Sequence, residues 1–456
     1  MATILFDPIA APGHINGSLQ LARLLKQAGH QIVYIGPSEF KAKIKQAGFN
    51  FVIFEPFTVD SSGKQKETLQ KWIECFISFF TGYRLKKMME MMEEINDIIE
   101  KVDPDLILLD ANFIQKLAIY GKYKNKIVFF ETMVSEHYAP NIPPYNSTFI
   151  PKNNYFTKKY VDFLWFRREL YLRYRTIKAR LIFFNNDFHS IYRKLALEQG
   201  IELEKWKDAK RMNQTKVIPK NVIELIIPPL AFDFPRPPKP NVIHIGPLIN
   251  MNRDNQILDG RYMEVIHHIK DLKQKNKNTV FIYASLGTMS EVSPTREKKF
   301  INVLLKYCKS NRNHYIVFSV GNNYDIHKLP DVPENLHIFN TIPQLDILKH
   351  CDLMITHGGM NTLTECILNK VPVIVYPLAK NWDQNGNAAR VAYHGIGIRG
   401  SFKRISVKNL KRNIEKILTD YNYYQANLIS MNEKMDIEKA SKRCVKIVES
   451  LIKINV

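Results

Sequence analysis

Apolar residues recur over the first sixty positions in alternating short and long patterns. Residues 3–6 form an apolar run of strand length. Leu21, Leu24, Leu25 and Ala28 then fall at i, i+3, i+4 and i+7, which is one face of a helix. Lys26 sits in its last turn and Gly29 follows as the stop. Residues 31–35 read as a second strand, and Gly36-Pro37-Ser38 punctuates before another helix that ends at Gly48. Residues 50–54 read as a third strand. Strands separated by helices of about a dozen residues imply a parallel, doubly wound sheet.

The rhythm loosens between about 60 and 200, where aromatic and basic residues interleave. Tyr160, Phe163, Trp165, Phe166, Tyr171 and Tyr174 alternate with Arg167, Arg168, Arg173 and Arg175. Residues 152–180 carry nine Lys/Arg against two Asp/Glu, a net +7. Two readings fit this segment. One is a basic amphipathic helix on an anionic membrane; the other is a helix with its aromatic face on the core and its arginines in water. Residues 234–240, Phe-Pro-Arg-Pro-Pro-Lys-Pro, can continue neither a helix nor a central strand, and they read as a domain linker. The α/β rhythm then restarts, with strands expected at 280–284, 314–319, 336–339, 353–356 and 373–376. Beyond Ser406, a fitting N-cap, the tail reads as helical to its end.

Composition narrows the class. The 456 residues, 45% hydrophobic and 24% charged, are globular in balance and long enough for two or three domains. No apolar run reaches the roughly 18–20 residues of a membrane span. Residues 1–11 lack a basic n-region and read as a strand, not a signal peptide. Cys75, Cys308, Cys351, Cys366 and Cys444 are odd in number, scattered, and without a Cys-x-x-Cys, which points to a reducing cytosol and away from zinc. The net charge of +21 suits nucleic acid, anionic lipid or a phosphorylated substrate, or is a solvated basic surface. No helix-turn-helix, zinc-finger or aromatic RNA-binding pattern accompanies it, so nucleic acid is not expected as a partner.

Three constellations carry chemistry. Pro12-Gly13-His14-Ile15-Asn16 follows the first strand, at the sheet edge where doubly wound folds bind ligands. Gly13 lets the backbone turn close to a substrate, and His14 can exchange a proton near neutral pH. Asp105-Leu106-Ile107-Leu108-Leu109-Asp110 is a buried strand ending in a carboxylate at the same edge. Asp110 either holds one imidazole nitrogen and stabilises the imidazolium, or closes its strand in an Asx turn. Asp103-Pro104-Asp105 resembles a metal-binding Asp-x-Asp, but it contains Pro and precedes its strand, so it reads as a turn.

The densest signal spans residues 341–384. It runs Thr341-Ile342-Pro343-Gln344, then Thr356-His357-Gly358-Gly359-Met360-Asn361-Thr362-Leu363-Thr364-Glu365, then Val371 to Pro377, and closes on Asp383-Gln384. A strand ending at Thr356 and a helix starting near Gly359 aim free N–H groups and a positive dipole end at one point, which suits a diphosphate. Gly358 and Gly359 let phosphates approach the backbone, and His357 can donate to a phosphoryl oxygen. Glu365 can accept from ribose hydroxyls, and Asp383 and Gln384 can grip sugar hydroxyls. A bare βαβ crossover would leave so many polar residues at strand ends unexplained.

These residues resemble the donor-binding signature of family 1 glycosyltransferases, the UDP-glycosyltransferase superfamily. Its Pro-Gln, His-x-Gly-x-Asn, Glu, Pro, Pro and Asp/Glu-Gln occur here in order. Gly13-His14, Ile245-Gly246-Pro247 and Ser285-Leu286-Gly287-Thr288 resemble its other landmarks. The His-Gly-Gly-Met-Asn run, followed by Asn385-Gly386-Asn387-Ala388-Ala389-Arg390, resembles bacterial natural-product and carotenoid glycosyltransferases. The resemblance implies an α/β protein of GT-B fold, two Rossmann-like domains facing a cleft. An acceptor domain would span 1–234, a Pro-rich linker 235–243 and a nucleotide-sugar domain 244–432, with a last helix, 433–456, crossing back.

It further implies an inverting, metal-independent, cytoplasmic enzyme. Such an enzyme moves a hexose, glucose in the first instance, from UDP to a hydroxyl of a hydrophobic small molecule such as a natural product or hydroxylated carotenoid. His14 would take the acceptor proton while Asp110 orients it. Ser285, Thr288, Thr341, Gln344, His357, Gly358, Gly359, Asn361, Thr362, Glu365, Asp383 and Gln384 would hold the donor. The nucleotide sugar is a co-substrate, and no other cofactor is implied. A bilayer that presents the acceptor is a further expected partner. Two features depart from plant members: Thr341 stands where a Trp stacks on uracil, and Pro377 to Asp383 is two residues longer, with Lys380-Asn381-Trp382 in the longer stretch. The rival readings are a lipid-sugar transferase or nucleotide-sugar epimerase on the same fold, and a non-catalytic binding protein.

Overall fold

Thirteen strands pair into two sheets in the computed structural model, which describes residues 1–55, 68–202, 222–251, 259–287, 294–321, 326, 331–379 and 382–455. The first sheet takes β1 (Thr3–Asp7), β2 (Gln31–Gly36), β3 (Asn50–Ile53), β4 (Leu106–Asp110), β5 (Ile127–Glu131), β6 (Glu224–Ile226) and β7 (Val242–His244) in the order β3-β2-β1-β4-β5-β6-β7. The second takes β8 (Val280–Ser285), β9 (His314–Ser319), β10 (Leu336–Phe339), β11 (Leu353–Thr356), β12 (Val373–Val375) and β13 (Gly397–Arg399) in the order β10-β9-β8-β11-β12-β13. Neighbours in both sheets pair in parallel, as in Ile4 opposite Leu106 and Thr356 opposite Ser285. The strands are continuous apolar runs because helices cover both faces: Ile4, Leu5 and Phe6 are all fully buried. These two Rossmann-like units form a GT-B fold.

The first helix, Pro12–Gln27, begins earlier than its apolar periodicity suggests. Pro12 occupies its first turn, where a missing N–H costs nothing and the fixed φ is already helical. His14 therefore lies inside the first helical turn and not in a loop. Ile15, Leu19, Leu21, Ala22 and Leu25 pin that helix to the sheet.

The Pro-rich stretch expected as the linker lies within the first unit, because β7 follows it and pairs with β6. Proline excludes a central strand but not a short edge strand, and β7 is three residues long at the sheet edge. The chain crosses to the second sheet only after β7. In the tail, the Ser406 side chain accepts from Asn409 N at 3.2 Å and caps Val407–Thr419. The last helix, Ile437–Asn455, places Cys444, Val448, Leu451 and Ile452 in the core of the first unit beside Ile4, Leu21 and Leu25. All five cysteines are buried and form no disulfide.

The basic aromatic segment is one helix, Tyr155–Ile182, capped by Asn154 accepting from Thr157 N at 2.9 Å. It buries Val161, Leu164, Trp165, Leu172 and Thr176, while most of its aromatic residues face solvent. The reading that packs its aromatic face on the core is thereby corrected: one narrow strip faces inward, and its aromatics exceed what that strip can hold.

The two units meet around a buried ion pair. Arg390 Nε donates to Asp233 Oδ1 at 2.8 Å, Arg236 Nε to Asp233 Oδ2 at 2.6 Å, and Arg390 Nη1 to Tyr145 O at 3.3 Å. Burial alone would raise the Asp233 carboxyl, but the two guanidinium charges and their hydrogen bonds hold it below the ordinary aspartate range. Replacing Asp233 by Asn strands buried cations, and should cost about 3–5 kcal/mol in denaturant unfolding at neutral pH. A depressed folded value means that the stabilisation is complete above the ordinary aspartate pKa and fades as pH falls below it. The difference between wild type and D233N should therefore narrow below about pH 4. An unchanged difference at low pH would contradict the assignment.

Candidate active site

Both sheets present the carboxyl ends of their strands to one cavity of about 490 Å³. Three strands of the first sheet end in buried carboxylates: Asp7, Asp110 and Glu131. Asp7 is engaged by Lys116 Nζ and by the Tyr120 hydroxyl, each at 2.6 Å. Glu131 Oε1 accepts from Asn112 Nδ2 at 2.5 Å and from Met133 N at 2.9 Å. Asp110 instead meets the cavity-lining histidine: its Oδ2 lies 2.8 Å from His14 Nδ1. It also accepts from Ile9 N at 3.1 Å and Asn112 N at 3.0 Å. Burial would raise this carboxyl, but the charge and hydrogen bond of His14, with the two backbone amides, hold it below the usual range. One Asp110 carboxylate thus both closes the strand and meets the His14 ring.

Thr132, directly after β5, places its hydroxyl 3.1 Å from the same His14 Nδ1 and lines the cavity. The sequence reading passed over it, as it passed over β5. Asn16, Gln20 and Arg23 also line the cavity, at i, i+4 and i+7 of the first helix. They form the polar stripe complementary to the buried one, and that spacing was available as a signal.

On the second side, β11 ends at Thr356 and the helix Met360–Leu368 begins. His357, Gly359, Met360, Asn361 and Thr362 all line the cavity, so the first turn of that helix, with its unpaired N–H groups, opens onto it. The His357 ring is held by close approach of two glycines. A Cβ on Gly287 would come within 2.4 Å of Cε1, and one on Gly359 within 2.7 Å of Nε2. Burial holds the His357 imidazole down to about 4, so the ring is a neutral single donor, not the cation that a phosphate site invites one to assume.

Glu365 and Gln344 line the cavity together, Gln344 Nε2 donating to Glu365 Oε2 at 2.6 Å. Asp383, its carboxyl raised by burial, accepts from Asn387 Nδ2 at 2.8 Å. Gln384 also lines the cavity, but its Oε1 accepts from Leu378 N and Ala379 N at 2.8 and 3.0 Å and so shapes the preceding loop. Asn361 Nδ2 reaches across the cleft to Gly13 O at 3.4 Å.

Three expected residues stand back from the lining. Ser285 closes its own turn by accepting from Gly287 N at 3.1 Å. Gly358, at φ +92°, turns strand into helix with its Cα toward Val375. Thr341 is exposed after β10, and its neighbour Ile342 faces the cavity instead. Thr288, Lys380 and Asn381 lie outside the described residues, while Trp382 is half-exposed at the rim.

Residues 188–436 match the family described as UDP-glucoronosyl and UDP-glucosyl transferase. The NDP-glycosyltransferase YjiC of Bacillus subtilis is 23% identical over 455 residues, covering 98% of this chain and 96% of the relative. The zeaxanthin glucosyltransferase of Pantoea ananas is 28% identical over 207 residues, 44% of this chain and 43% of the relative. Among solved structures, the glycotransferase of kitacinnamycin superposes with a TM-score of 0.69 at 18% identity, covering 99% of this chain and 98% of that one.

Gly359 has φ −65°, so alanine suits its backbone and only the His357 ring resists the new methyl. G359A should displace that ring and weaken UDP binding about tenfold or more by calorimetry, the worth of one hydrogen bond to a charged group. Its unfolding midpoint should barely move. Native affinity in a folded variant would remove His357 from the nucleotide site.

Proposed function

The chain belongs to the UDP-glucoronosyl and UDP-glucosyl transferase family, and from that membership we propose an inverting, metal-independent transfer of glucose from UDP to a hydroxyl of a hydrophobic small molecule. One observation carries the reading. A carboxylate-held histidine on the first unit and the N-terminal turn of a helix on the second line the same cavity. The glucosyl part rests on the likeness to the zeaxanthin glucosyltransferase of Pantoea ananas, and so does a hydroxylated carotenoid as the kind of acceptor. Epimerisation has no acceptor hydroxyl to deprotonate, so the His14–Asp110 pair favours transfer over it.

With Nδ1–H shared between Asp110 and Thr132, Nε2 is the basic nitrogen of His14. It takes the acceptor proton as the oxygen attacks the anomeric carbon. The bond from that carbon to the β-phosphate oxygen breaks, and UDP leaves from the opposite face. Asp110 balances the charge that arrives on the imidazole. The helix start at Gly359–Thr362 and the His357 N–H receive the charge that arrives on the leaving phosphate. Glu365 accepts from ribose hydroxyls, and Asp383 and Gln384 hold hydroxyls of the transferred sugar.

Incubation with UDP-glucose and a panel of hydroxylated acceptors, read by mass spectrometry, tests the reading. H14A should lose about a hundredfold to ten-thousandfold in turnover while UDP affinity barely changes. D110N should lose less, because the ring keeps a hydrogen-bonding neighbour but not its countercharge. Near-native turnover in H14A would exclude His14 as the base.

Turnover should survive a chelator unchanged, and added magnesium should not raise it. Activity lost in chelator and restored by magnesium would overturn the metal-independent reading.

A further inference from the structure

The first unit exposes a large apolar surface that the transfer chemistry does not use. The helix Tyr155–Ile182 is 28 residues long, roughly 42 Å. Phe156, Phe163, Leu170, Tyr174, Ile177 and Leu181 recur along it at helical spacing, all exposed, on the side away from buried Val161, Trp165 and Leu172. Just past its end, the Phe184 ring lies 5.6, 5.4 and 5.9 Å from Trp72, Phe76 and Phe79 of a second helix, Thr68–Thr81. On that helix Trp72, Ile73, Phe76, Phe79 and Phe80 are exposed in turn. Phe184 thus brings the end of the long helix against the apolar face of the second. Water-soluble monomers rarely leave so much contiguous apolar surface uncovered.

The charge on the long helix is mostly basic. Residues 152–180 carry nine Lys/Arg and two Asp/Glu, and one of those two, Glu169, is paired with Arg173. Lys159, Arg175 and Lys178 lie over the rings of Tyr155, Tyr171 and Tyr174 at 5.6, 5.8 and 5.8 Å. Basic heads beside exposed aromatic rings match a bilayer interface, where rings sit at headgroup depth and cations reach lipid phosphates. Along one flank of the same helix opens a cavity of about 780 Å³. Arg167, Arg168 and Arg175 line it, with Tyr160 and Tyr171, and no carboxylate does. Its far wall includes Asn385, the residue after the cavity-lining Gln384.

We infer that this two-helix face of the first unit docks on an anionic lipid bilayer. The apolar residues enter the headgroup boundary, and the basic residues set the preference for negative lipid. The docking goes beyond the transfer reaction and is measured without substrates, so either can fail alone.

The experiment is flotation of the full chain with vesicles of phosphatidylcholine alone, and of phosphatidylcholine mixed with phosphatidylglycerol, at low and at physiological salt. Binding should appear on the mixed vesicles, weaken with salt, and be near background on phosphatidylcholine. F163S/L170S should abolish it, and K159Q/K178Q should weaken it about thirtyfold. Both double variants should keep the wild-type circular dichroism, unfolding midpoint and turnover on a water-soluble acceptor. Absence of binding to either vesicle, equal binding to both, or native binding by both variants would overturn the inference. So would a dimer in light scattering that F163S/L170S dissociates, since the face would then belong to a second copy.

Discussion

Arg390 cannot be buried without Asp233, and much of the cleft follows from that constraint. Its guanidinium is fully buried, and an ion in that setting without a countercharge would cost several kcal/mol. The partner comes from the other unit, 157 positions away in the chain, together with the Tyr145 carbonyl. The Phe234 ring lies 4.6 Å from the guanidinium, and Phe232 is embedded among core residues of the second unit. Segment 232–234 is thus held in place by the other half of the molecule. Asp383 and Gln384 lie two turns before Arg390, at the start of the same helix. Anchoring one end of that helix sets where the other end meets the cavity.

The cavity so formed is asymmetric in charge. On the first side Asp110 stays ionised beneath a histidine. On the second side burial keeps His357 neutral and pushes Asp383 up. His14 and Asp383 come from different units, yet the charge of His14 lowers the Asp383 carboxyl against its burial. The imidazole on the side proposed for the diphosphate is therefore neutral before anything binds. A dianion arriving there favours the protonated form of His357, so binding strengthens the donor it needs. That division needs no charged side chain at the helix start, because backbone N–H groups already supply the positive end.

Much of this was legible in the chain. The nine strands read from apolar runs are all present, because strands buried on both faces announce themselves by continuous hydrophobicity. His14, Asp110, His357 and Glu365 were legible because strand ends in a parallel sheet converge on one edge. β5 escaped although residues 127–130 are as continuous an apolar run as the strands that were read; most of what else escaped lacks a local signature. β6, β7 and β13 are three residues each, too short for a pattern. The proline-rich stretch looked like a linker because proline says what a segment cannot do, not which neighbour it joins. Thr132 and the Arg390–Asp233 pair depend on partners over a hundred positions away. Ser285 and Thr341 were placed in the site by motif position, but side-chain direction at a strand end decides between cavity and turn.

The distribution of exposed apolar residues separates the two units. In the first unit the helices of the β3–β4 and β5–β6 connections carry nearly all the large exposed apolar side chains. Among its described residues the second unit exposes only scattered ones such as Trp382, Tyr423 and Ile429. Parallel-sheet connections are free to vary, because the sheet edge and not the connection sets the catalytic geometry. A nucleotide sugar is doubly charged and stays in water, so the unit that holds it needs a wettable exterior. An apolar acceptor partitions into lipid, and a unit that collects it gains from an exterior that does the same. With the reacting groups fixed at the join, the two exteriors are free to suit opposite solvents, and under the proposed reading the aromatic excess of the first unit reflects where an apolar acceptor resides.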